Sequence, residues 1–74
     1  MSASVSFKDI QAMLDHCAKG YEWRLTTHSR RIKYNGRVYL SLPKFDTIEL
    51  GHVRKMIRHL KIDHDCAKSM ISIL

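Results

Sequence analysis

A chain of 74 residues, 45% of them apolar, can form one domain around one small core and has little room for a deep cofactor cavity. Its apolar runs are far shorter than the ~20 residues a membrane-spanning helix needs, so no membrane partner is expected. The formal net charge of +6 is uneven: Arg24 to Lys61 holds ten cations against Asp46 and Glu49, a balance of +8, while the remainder carries −2, the footprint of a surface that meets a polyanion.

The opening residues, Met-Ser-Ala-Ser-Val-Ser-Phe-Lys, lack the charged start and apolar run of a secretion signal, and a cytoplasmic location is the expectation. Ser6 suits a helix N-cap, with Asp9 three residues on and Val5 and Ile10 in hydrophobic-staple positions. Phe7, Ile10, Leu14, Cys17 and Ala18 then recur at spacings of three and four, which predicts an amphipathic helix over 6–19 stopped by Gly20.

Tyr21, Trp23 and Leu25 alternate with Glu22, Arg24 and Thr26, the period of a half-buried strand, and begin a three-stranded sheet over 21–42. A reversal near Thr26-Thr27-His28 leads to a second strand, and Asn35-Gly36 leads to a third that ends at Leu42. A two-residue Asn35-Gly36 loop would pair Lys33 with Val38 and mix charges with the apolar face. A three-residue loop, Tyr34-Asn35-Gly36 with a glycine bulge, pairs Ile32 with Val38 and sets Ile32, Val38, Leu40 and Leu42 on one face, so the side-chain pattern favours it.

Pro43 closes the sheet, and Lys44 to Glu49 reads as a loop. Val53, Met56, Ile57 and Leu60 predict a helix over 50–61, with His52, Arg54, Lys55, Arg58 and His59 on its other faces. Asp63 is placed to cap a short last helix over 64–74. No linker or repeat interrupts this order, so residues 1–74 read as a single α+β domain, αβββα, with its helices on one face of a three-stranded antiparallel sheet. Cys17 and Cys66 each sit in an apolar helical pattern without a Cys or His pair at ligand spacing. Buried reduced thiols are expected ahead of a disulfide or a zinc site.

No Gly-rich phosphate loop is present, and the basic middle has too few acids to hold magnesium for two-metal phosphodiester cleavage. Neither a metal nor a cofactor is expected. RNA carries its own nucleophile, the 2′-hydroxyl; a protein that cleaves it needs a group titrating near neutral pH and cations to stabilise the charged phosphorane. His28, flanked by Arg24, Arg30 and Arg31, meets that minimum, and Arg24, Arg30, Arg31, Lys33, Lys44 and Lys55 are the candidate phosphate contacts. His16, His52, His59 and His64 lie on predicted helices among polar neighbours and read as surface residues, while Tyr21 and Trp23 read as core. Strand parity puts His28 on the same side as Ile32, so a nuclease role requires it to lie at the open end of the sheet or beyond a bulge. The same cations would also serve a non-catalytic RNA-binding module, or meet an acidic protein partner.

From Phe7 to Leu74 the chain resembles the HicA family of toxin ribonucleases. The resemblance is carried by the first helix ending in Gly20-Tyr21, Thr27-His28 after the first strand, the Asn35-Gly36 turn, Leu42-Pro43-Lys44, and the run from Ile48 to Ile62. It implies a fold like the double-stranded-RNA-binding domain and an mRNA interferase, an endoribonuclease that cleaves messenger RNA. It also implies neutralisation by a HicB-type antitoxin. The family's catalytic histidine falls on His28. Thr26-Thr27 stand where the family usually has a Gly-containing pair, and the segment from Gly20 to His28 is shorter than usual.

Overall fold

The structure, a computed structural model, describes residues 3–74; Met1 and Ser2, which open the expected 1–74 domain, lie outside the described residues. The elements in order are β1 (Ser4–Ser6), α1 (Phe7–Cys17), β2 (Glu22–Leu25), β3 (Arg30–Tyr34), β4 (Arg37–Leu42), β5 (Thr47–Glu49), α2 (Leu50–Leu60) and α3 (His64–Met70). The fold is α+β: a three-stranded antiparallel sheet ordered β2-β3-β4 with helices on one face, and a separate antiparallel pair of β1 and β5.

The helix signals act as their chemistry predicts. The Ser6 hydroxyl accepts a hydrogen bond from the Asp9 N–H at 3.1 Å, so α1 starts at its cap. Asp63 likewise accepts from the Asp65 N–H at 3.1 Å at the start of α3. At the end of α2, Lys61 takes the left-handed conformation and the Ile62 N–H reaches back to the Ile57 carbonyl at 3.0 Å. This is a Schellman closure, with both isoleucines buried beside it. Val53, Met56, Ile57 and Leu60 of α2 meet Ile10, Met13 and Leu14 of α1, and Ile32 and Leu42 of the sheet, in one core. Each such fully buried side chain is worth roughly 1.5–3 kcal/mol relative to its exposed state.

Lys44 to Glu49 is not wholly a loop. Thr47–Glu49 pairs with Ser4–Ser6, putting Val5 opposite Ile48, and the Phe7 N–H donates to the Asp46 carbonyl at 2.7 Å. Three-residue strands carry too little alternation to register as strands in a sequence.

The turn between β3 and β4 also differs from expectation. It is the two-residue Asn35-Gly36 loop, pairing Tyr34 with Arg37 and Lys33 with Val38. Asn35 and Gly36 both have positive φ, 58° and 73°, as a type I′ turn requires. The parity conflict that argued against this turn is resolved further along β4. There the register slips between Arg30 and Ile32, so that Leu40 and Ser41 together face Arg31 in a β-bulge. Tyr39 and Leu42 therefore both point toward the helices, with Leu42 fully buried, while Leu40 turns outward and is 60% exposed.

β2 is more exposed than its alternation implied. All four of its residues are on the surface, and Trp23 is 40% accessible, with one edge packed against the Phe7 ring at a centroid distance of 5.1 Å. Cys17 and Cys66 form a disulfide, with Cα atoms 5.8 Å apart and a sequence separation of 49, so the expectation of reduced thiols is overturned. The cause lies in tertiary packing, which sets α1 beside α3 so that the end of one meets the start of the other. Among the described residues no helix is long and apolar enough to cross a membrane.

Candidate functional site

The turn between β2 and β3 spans Thr26 to Ser29, and His28 is exposed at its tip, beyond the last paired residues Leu25 and Arg30. Being outside the ladder, it escapes the strand parity that would have buried it. The turn is closed by its own side chains. The Thr26 N–H donates to the Ser29 carbonyl at 2.8 Å, the Thr26 hydroxyl to the same oxygen at 2.9 Å, and the Ser29 N–H to the Thr26 hydroxyl at 3.1 Å.

Two further bonds brace the turn from outside. The Ser29 hydroxyl donates to the Leu40 carbonyl at 2.7 Å, pairing a group in the bulge. The Lys44 ammonium donates to the Thr27 carbonyl at 3.1 Å. Lys44 thus sits against the residue preceding His28. Thr26-Thr27 serve this architecture well, because the Thr26 hydroxyl makes the local bonds by which Ser and Thr build turns.

The outer face of the sheet holds three of the expected cations. Arg24 lies directly opposite Arg31, and Lys33 opposite Glu22; these side chains line an open groove of about 590 Å³. Like charges directly across a ladder disfavour the pair, so the Arg24 and Arg31 arrangement favours an added anion. At about 3.3 Å per residue, Arg31 follows His28 along the chain by no more than about 10 Å. Its neighbour on the outer face, Lys33, is about two residues farther.

Arg30 departs from the role expected of it. It is 7% exposed, and its guanidinium lies 3.6 Å from the centroid of the Phe7 ring while donating to the carbonyls of Pro43 and Phe45, both at 2.8 Å. Burial pulls its pKa below the usual arginine value, with the nearby Asp46 charge acting in the opposite direction. Its Nη1 donates inside the protein, holding the 43–45 segment to β3, and its Nε is buried without a partner, so the side chain is not offered to a ligand's phosphate. Lys55 is exposed on α2, which packs on the helical side against β4, so it stands across the sheet from Arg24, Arg31 and Lys33. His59, also on α2, bonds the Val38 carbonyl through Nε2 at 2.8 Å and has a structural use.

The structure thus brings together His28, Lys44, Arg24, Arg31 and Lys33, and separates Arg30 and Lys55 from them. Two contributors were missed in the sequence. Ser29 is one, signalled by its spacing from Thr26. Phe45 is the other, a lone aromatic in a polar loop, 74% exposed. Among the described residues no group of three or more His, Cys, Asp or Glu side chains is placed to hold a metal. No family model, curated protein or solved structure matches the chain.

Proposed function

We propose that the chain is a toxin endoribonuclease of the HicA type, an mRNA interferase, which cleaves RNA through His28 without a metal and is neutralised by a HicB-type antitoxin. The observation that carries this reading is the exposed imidazole on a turn braced by Ser29 and Lys44, one strand-length from the opposed Arg24 and Arg31. A polynucleotide laid on the outer face of the sheet would place phosphates against Arg24, Arg31 and Lys33 and a ribose at the turn.

In that setting the 2′-hydroxyl attacks the adjacent phosphorus and the bond to the 5′-oxygen breaks. His28 either accepts the proton from the attacking hydroxyl or delivers one to the leaving oxygen, and the cations stabilise the added charge on the phosphorane. The test is cleavage of RNA in EDTA by wild type and His28→Ala; a loss of about 10²–10⁴-fold is expected from removing a general acid or base. Equal cleavage by both proteins excludes His28 from the chemistry.

The second reading, an RNA-binding module without catalysis, is favoured by the Arg24 and Arg31 pairing, which suits a backbone clamp whatever His28 does. Binding with intact RNA after long incubation would select it. Messenger RNA as target implies a cytoplasmic location. A positive outer face is also what an acidic antitoxin would cover.

A further inference from the structure

The 43–46 segment leaves an aromatic ring in the open, and its surroundings supply a reason. Phe45 carries its ring at the surface while its own carbonyl, and that of Pro43, are held by the Arg30 guanidinium, which is itself packed on Phe7. The backbone beneath the ring is therefore anchored at two points, and the adjacent Lys44 ties the same segment to the His28 turn. Arg30 also belongs to β3 two residues after His28, so both connections join Phe45 and His28 to one rim.

Beside the ring is an open groove of about 510 Å³, within the ~300–1,000 Å³ range of small-ligand clefts. Its walls include Ser4, Thr47, Glu49 and His52, and the Nδ1 of His52 is buried without a hydrogen-bond partner. A flat exposed aromatic beside hydrogen-bonding side chains is how single-stranded RNA is read, by stacking on the ring and by contacts to the base edge. A duplex, with its bases already stacked, would have no base to offer.

We infer that Phe45 and this groove form a subsite for one unpaired nucleobase near the scissile ribose, and that the carboxylate of Glu49 favours a base bearing an exocyclic amine, such as cytosine, over uracil. The inference rests on the RNA-acting reading above and adds to it the strandedness and base preference of the substrate. A carboxylate accepts from the cytosine N4 amine but is repelled by the corresponding carbonyl of uracil. Lys44, next to Phe45 in sequence, supplies the cation on the phosphate side.

The test uses fluorescence anisotropy with labelled oligocytidylate, oligouridylate and a mixed-sequence RNA duplex, on the full chain in a His28→Ala background that keeps the RNA intact. Phe45→Ala is expected to weaken oligocytidylate binding by roughly 5- to 150-fold, the range of one base-aromatic stack, with duplex binding and the salt dependence unchanged. Phe45→Trp should restore it, and Glu49→Gln should level cytosine against uracil. If the parent binds RNA and Phe45→Ala binds oligocytidylate indistinguishably from it, the subsite is refuted while the nuclease reading stands. That outcome would assign the exposed ring to a protein contact. If the parent binds no RNA, both readings fall together.

Discussion

Arg30→Met tests whether a buried guanidinium holds the rim together. The side chain donates to two backbone carbonyls, each a charge-assisted bond worth about 1.5–3 kcal/mol, and stacks on Phe7 for about 0.5–2 kcal/mol more. Burying the charge works against these gains, as the lowered pKa of Arg30 records. Methionine fills much of the volume but leaves the Pro43 and Phe45 carbonyls unpaired. We therefore expect a net loss of about 2–4 kcal/mol. At about 0.05–0.15 kcal/mol per residue the whole domain has only about 4–11 kcal/mol, so this is a large share. Arg30→Lys should recover only part, because an ammonium can donate to the two carbonyls but cannot match the stack of the planar guanidinium on Phe7. Urea unfolding followed by circular dichroism gives the energies, and amide hydrogen exchange reports protection over 43–46. If the methionine variant unfolds at the same urea concentration with the same exchange pattern, Arg30 does not anchor the loop.

Reducing the Cys17–Cys66 bond releases a loop of 49 residues, and the chain-entropy relation puts the loss at about 4 kcal/mol; unfolding with and without a reductant measures it, and unchanged stability would contradict the estimate. The hydroxyls of Tyr21 and Tyr39 have pKa values raised by burial, with hydrogen bonding to Asp15 adding to the effect at Tyr21. Their folded pKa values exceed the unfolded value of about 10, so stability is undiminished below that pH and falls as pH rises through and above it. Alkaline unfolding of the Tyr21→Phe, Tyr39→Phe double variant should be correspondingly less steep, and an identical profile would count against the assignment.

Much of the framework was legible because its signals are local. Ser6 and Asp63 cap the helices they precede, and the stripe of Val53, Met56, Ile57 and Leu60 is buried. Asn35-Gly36 makes its turn, but the bulge at Leu40-Ser41 could not be read, since it exists only relative to Arg31 on the neighbouring strand. The pairing of β1 with β5, the disulfide and the burial of Arg30 have the same character. Each depends on residues distant in sequence that meet only in the folded chain. At the candidate site the cations were chosen together by charge; the structure sets Arg24, Arg31 and Lys33 on one face of the sheet, buries Arg30 and leaves Lys55 on the helical side. Phe45 was passed over because a single aromatic in a loop has no periodic partner to mark it.

Closing Cys17 onto Cys66 turns the chain into a covalent ring with two short tails. His28, Lys44, Phe45 and every outer-face arginine and lysine lie within the ring, while most of α1 hangs outside it. A protease that nicked any surface loop of the oxidised molecule would open the circle without dividing it, and both fragments would stay tethered until a thiol arrived.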